Sequence, residues 1–256
     1  MPYAKYYFIF SLASIVIWYF KEHIGLDFNK LLKPITGMLY GVHGDDRSLV
    51  HANGPLWYFP LLVTSTLMAK LCIKNINLGL LFAFIYTFIN YHFIHIDFPW
   101  RLDMAGAGAF FILIGYALNQ QLEADKLTNY LKNPAKLIAL LVIALCVLAY
   151  VNGRVNLNTA DLGHSVFLYF LNAIIGSLIV ILVSHLIASN KLAQLISTNT
   201  LLIFCIHIYF VKLLKFAYFP EFFITKFLVT VFYAICILLL TLIISIKIQP
   251  ILKKLV

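Results

Sequence analysis

Charge is what this chain has least of. Only 11% of its 256 residues are Asp, Glu, Lys or Arg, against about 25% in ordinary soluble domains, which excludes a solvated globular surface. Cysteine is scarcer still. Cys72, Cys146, Cys205 and Cys236 sit in or at the ends of apolar runs without C-x-x-C spacing, which argues against a disulfide framework or a thiolate zinc site. There is no long repeat, no low-complexity tract and no soluble domain. No small-x-small cleavage site follows the first apolar stretch before Lys21, Glu22 and His23, so we read that stretch as a retained span rather than a signal peptide.

What the chain has instead is apolar length. It is 62% hydrophobic, with a mean hydropathy of +0.93. A bilayer core of about 30 Å needs about 20 mostly apolar residues per helical crossing. Eight segments meet or approach that length: 4–20, 55–73, 77–96, 103–118, 136–151, 165–188, 200–216 and 226–247. The runs are continuously apolar rather than alternating, which favours helices over barrel strands. The expected fold is therefore all-α, a polytopic helical membrane bundle of about eight transmembrane helices, with 1–256 forming a single integral-membrane domain.

The formal charge of +9 has a source other than nucleic acid, and we expect no nucleic-acid partner. Lysines such as Lys70, Lys74, Lys132, Lys136, Lys253 and Lys254 flank the spans, as residues that anchor helices to lipid headgroups do. With eight crossings both termini share a side. That side carries ten basic residues against nine on the other, a weak preference for cytoplasmic termini. The acids are more telling, for eight of them, Asp97, Asp103 and Asp161 included, fall on the second side with His23, His43, His51 and His164. The long connector 21–54 supplies much of this polar chemistry, and His51 within it is a candidate for contact with a polar substrate.

Three stretches could carry chemistry. In "NYHFIHIDFPWRLDM", His92 and His95 share a helical face and Asp97 follows, but no further ligand converges, so no metal site is expected. Arg101 and Asp103 lie where one span ends and the next begins. Asp103 is placed to cap the following helix, with a site role as the alternative. In "ANGPLWYFPLL", Trp57 and Tyr58 fit an interfacial aromatic belt and Pro60 falls in the first turn. In "STNTLLIFCIHIYF", Ser197 to Thr200 look like a helix start, which puts His207 about 10 Å into the span. An ionisable ring at that depth suits either a functional site or a hydrogen bond made for packing.

In order and spacing, "PLWYFPLL", "PWRLDMAGAGAFFILIGY" and "ISTNTLLIFCIHIYF" resemble the acyltransferase-3 family, and within it the fucose acetylase-like branch. These are integral-membrane enzymes that O-acylate surface polysaccharides and related sugars. The resemblance implies an O-acyltransferase, with an O-acetyltransferase expected, that moves an acyl group from acyl-CoA to a hydroxyl of a glycan acceptor. It implies no bound cofactor, a bacterial inner-membrane location and termini in the cytoplasm. It assigns Trp57 and Pro60 to the first motif, Asp103 and Gly115 to the second, and Asn199 and His207 to the third. Asp103 and a supporting His207 are then the candidate catalytic residues, and Trp57, Arg101, Asn199 and His51 the candidate substrate contacts. In the preferred orientation His207 lies nearer the cytoplasmic face. The family's arginine–histidine motif belongs to a first span that has no counterpart in "KYYFIFSLASIVIWYF", which resembles the third. The resemblance accordingly implies a chain N-terminally truncated by two spans, with an inactive fragment as one reading of it. The alternative is a membrane transporter or flippase, for which "AGAGA" at 105–109 would line a passage.

Overall fold

The computed structural model describes residues 2–21, 28–41, 54–94, 96, 98–123, 134–186, 191–213 and 223–254. Among them the chain forms α1 (Pro2–Lys21), α2 (Phe28–Tyr40), α3 (Tyr58–Cys72), α4 (Ile76–Phe93), α5 (Ala105–Glu123), α6 (Pro134–Asn152), α7 (Val166–Leu186), α8 (Lys191–Leu213) and α9 (Phe223–Lys254). Single 3-10 turns stand at Gly54–Trp57, Pro99–Met104 and Leu157–Thr159. Most of these helices are apolar on every side, as a lipid-facing helix must be.

Six stretches are long and apolar enough to cross a membrane: Ile76–Phe93, Pro99–Asn119, Ala135–Asn152, Val166–Ser184, Lys191–Val211 and Leu228–Pro250. Two shorter apolar helices, Tyr6–Ile17 and Tyr58–Cys72, account for the remaining expected segments. This is an integral membrane protein of all-helical fold. The connector 21–54, expected to be a loop, contains α2, whose 13 residues extend only about 20 Å. Its buried residues Pro34, Gly37 and Met38 share a side, while Thr36, Leu39 and Tyr40 are exposed.

The tightest packing is around α5, which lies between α3 and α4. Ala105, Ala107 and Ala109 are buried there. A Cβ on Gly106 would meet Thr87 Oγ1 and Tyr86 Cδ1 at 2.7 Å, and one on Gly108 would run into the Ser65 side chain of α3. Small residues bring helix backbones together in this way inside membranes. "AGAGA" is thus a packing seam rather than a passage, which removes the feature that favoured the transporter reading. A second core joins α1, α2, α3 and α8 through Tyr7, Met38, Phe59 and Leu202. The Ser14 and Tyr209 hydroxyls, 2.6 Å apart, tie α1 to α8. α6 pairs with α7, and α8 with α9.

The last helical hairpin differs from expectation in a way that matters for function. α8 starts at Lys191, not at Thr200. The residues before Ser197, "KLAQLI", are mostly good helix formers. Thr198 Oγ1, Asn199 Nδ2 and Thr200 Oγ1 donate back to the carbonyls of Gln194, Leu195 and Ile196 at 2.8–3.0 Å. This is how polar side chains are accommodated inside a helix rather than at its cap. His207 therefore lies about 24 Å from the start of α8 and near its other end, on the side opposite Lys191. The cytoplasmic-side position expected for it under the preferred orientation does not hold.

Candidate functional site

The junction between α4 and α5 has unusual backbone geometry. Phe98 is extended, as the residue before a proline prefers. Trp100 (φ 57°) and Arg101 (φ 54°) are then both left-handed, a conformation that costs a non-glycine residue roughly 1–2 kcal/mol. Three elements hold them there. Trp100 Nε1 donates to the Leu39 carbonyl at 2.8 Å, and Thr64 Oγ1 donates to the Trp100 carbonyl at 3.3 Å. Tyr86 OH donates to the Leu102 carbonyl at 2.9 Å. Gly41 (φ +80°) lets α2 end against the Trp100 Cα, which a Cβ at that position would approach to 3.0 Å.

The consequence of this turn is a buried charge pair. Arg101 is 1% exposed and Asp103 3%, and their Nη2 and Oδ2 are 2.9 Å apart. Arg101 Nη2 also donates to the Leu157 carbonyl at 3.1 Å, so the guanidinium binds Asp103 and the 153–165 connector together. A cap was the first expectation for Asp103. The left-handed turn instead swings Arg101 back beside it, and the carboxylate is engaged in an ion pair.

The 153–165 connector is a small hairpin built from one end of α6. Asn156 and Asp161 exchange backbone hydrogen bonds at 2.8 and 3.0 Å. Buried Asn152 holds its base, donating from Nδ2 to the Leu162 carbonyl at 2.9 Å and accepting from Ser165 N at 3.0 Å. Asp161 Oδ1 accepts from Gly163 N at 3.0 Å, and Tyr91 OH donates to the Gly163 carbonyl. Leu162, fully buried, anchors the hairpin among Leu61, Met104, Ala107 and Val166.

Between α4, the Asp103 turn and this hairpin lies a cavity of about 600 Å³, within the range of roughly 300–1,000 Å³ found for small-molecule sites. Asn90, His92, Asp103, Thr159, Asp161 and His164 supply its polar walls. Titratable groups and a buried ion pair thus meet in one concave place, which makes it the candidate site.

Of the residues singled out from sequence, Arg101 and Asp103 are brought together. Trp57 is half-buried against the same apolar cluster as Met104 and Leu162, beside the site without lining the cavity. Asn199 is buried in α8. His207 lines a separate, mostly apolar groove of about 410 Å³ between α8 and α9, with Ile203, Val211, Tyr233 and Ile237. Its Nδ1 lies 2.7 Å from the Phe204 carbonyl of its own helix. His51, His95 and Asp97 lie outside the described residues. The residues not singled out as substrate contacts, His92, Asp161 and His164, carried one usable signal: acids and histidines collect on a single side of the membrane.

A helical membrane bundle with a buried ion pair beside a polar cavity at one end defines an integral-membrane protein with a candidate small-molecule site. The family comparison narrows this further. The family model described as "Acyltransferase domain", that of the acyltransferase-3 family, matches residues 2–248, so the chain belongs to that family of membrane acyltransferases. No curated protein and no solved structure matches it.

Proposed function

We propose that the protein is a membrane O-acyltransferase, of the fucose acetylase-like kind, that moves an acyl group, acetyl in the first instance, from acyl-CoA to a hydroxyl of a surface polysaccharide or sugar precursor. The observation that carries this reading is the Arg101–Asp103 pair at the floor of the polar cavity, in a chain of the acyltransferase-3 family. In the transfer, the acceptor oxygen attacks the thioester carbonyl, its proton passes to a base, and the thiolate leaves. A histidine suits the base role near neutral pH, and His92 and His164 both border the cavity. We assign the Asp103 carboxylate, buried beside Arg101, a supporting part in orienting the acceptor hydroxyl through the cavity wall it helps to form. Trp57 packs against the Met104 and Leu162 cluster beside the cavity, and we assign Asn199 and His207 supporting parts from α8.

With termini in the cytoplasm of a bacterium, the cavity opens on the far side of the inner membrane, where surface glycans are finished. The acceptor then enters from the cavity side and the acyl-CoA donor is met from the other. The test is transfer of label from acetyl-CoA to a free glycoside by the purified full chain in lipid nanodiscs. His164→Ala is expected to lower kcat by about 10²–10⁴-fold, the usual share of general acid–base catalysis. Wild-type protein that binds glycoside but transfers no label from any acyl-CoA would remove the acyltransferase reading for this chain.

A further inference from the structure

We propose that the cavity selects an uncharged, hydroxyl-rich ring and rejects anionic sugars, with Asp161 as the discriminating residue. This rests on the acyltransferase reading and deepens it to a class of acceptor. The argument is one of charge. Asp103 is neutralised in place by Arg101 at 2.9 Å, and the guanidinium is turned to that carboxylate and to the Leu157 carbonyl. Asp161 is different. It is exposed on the hairpin, borders the cavity and is tethered through Gly163 N. Among the described residues that line the cavity there is neither lysine nor arginine; Arg101 is the buried partner of Asp103, and Arg154 is exposed on the same hairpin outside the lining.

The described lining therefore offers the Asp161 carboxylate with no lysine or arginine in the lining beside it, together with amide, hydroxyl and imidazole groups. A uronic or phosphorylated sugar would bring a second negative charge into a partly desolvated space, where like charges repel more strongly than in water. A neutral ring meets no such penalty. It finds amide, hydroxyl, imidazole and carboxylate partners in Asn90, Thr159, His164 and Asp161, the mixture that recognises hydroxyls.

The test compares methyl glucoside with methyl glucuronide, which differ by a hydroxymethyl against a carboxylate, using the full chain in nanodiscs. Transfer of label from acetyl-CoA is expected to favour the glucoside by at least about tenfold in kcat/KM, a difference of about 1.4 kcal/mol. Asp161→Asn keeps the oxygen that accepts from Gly163 N, so the hairpin persists, and it is expected to shrink the preference to about threefold or less. Asp161→Glu is expected to retain it. Equal or better use of the glucuronide, or a preference unchanged in Asp161→Asn, would overturn the proposal. Thermal unfolding with each sugar, without donor, separates this from failure of the acyltransferase reading. If neither sugar is acylated, a rise in Tm with glucoside alone still supports the selection. An equal or larger rise with glucuronide, or no rise with either, overturns it.

Discussion

An arginine that is 1% exposed in a membrane-spanning bundle can keep its charge only beside a fixed counter-charge, and removing either partner strands the other. Breaking such a pair typically costs about 3–5 kcal/mol, whereas replacing both partners by apolar groups of similar size is far milder. We therefore expect Asp103→Leu to destabilise strongly and the double variant Arg101→Met, Asp103→Leu to recover most of the loss, as read by denaturant unfolding in detergent. Transfer should be absent in both. If the double variant is as unstable as the single, the pair is not what holds these residues. "PWRLD" was legible as a junction bearing chemistry, but the pair was not. It depends on left-handed Trp100 and Arg101, and those are imposed by the Leu39 carbonyl and Thr64, which are remote in sequence. The depth of His207 is hidden for the opposite reason: polar letters inside a helix look like a cap, and α8 runs back through Ser197–Thr200 to Lys191.

At the scale of elements, the α3–α5 contact sets how firmly the site's floor is held, since Asp103 stands two residues before α5. A Cβ at Gly108 would collide with the Ser65 side chain, including its Cβ at 2.7 Å. Gly108→Ala is expected to destabilise by about 1–3 kcal/mol, the usual cost of overpacking. Ser65→Gly should relieve much of that cost in the double variant, and a double-mutant cycle measures the coupling. Strictly additive effects would mean that the helices part elsewhere. The hairpin offers a second case. Gly163 has φ +84°, and a Cβ there would press on the Asn152 carbonyl and amide. Gly163→Ala should loosen the 153–165 hairpin, raising proteolytic cleavage within it and lowering transfer while the apolar helices stay intact. The spans themselves were readable because continuous apolar runs are a direct record of lipid contact. The start of α8 and the presence of α2 were not, because helices of mixed polarity leave a weaker mark on composition than their neighbours do.

At the scale of the whole molecule, the order of crossings fixes which ends of the helices share a side, and this can be tested without any activity. Lys74 follows α3 and Arg154 follows α6, both exposed, with α4, α5 and α6 between them. Three crossings place them on opposite sides. After replacement of the four native cysteines, Cys146 among them being exposed, a cysteine at position 154 should react with an impermeant maleimide in intact cells. One at position 74 should react only after permeabilisation. Labelling of both from the same side would break the crossing order, whereas a clean reversal would keep the bundle and overturn the proposed orientation. That orientation carries functional weight: the cavity, the hairpin and the Arg101–Asp103 pair all lie at the end marked by Arg154, so the side on which position 154 reacts is the side from which the proposed acceptor would come.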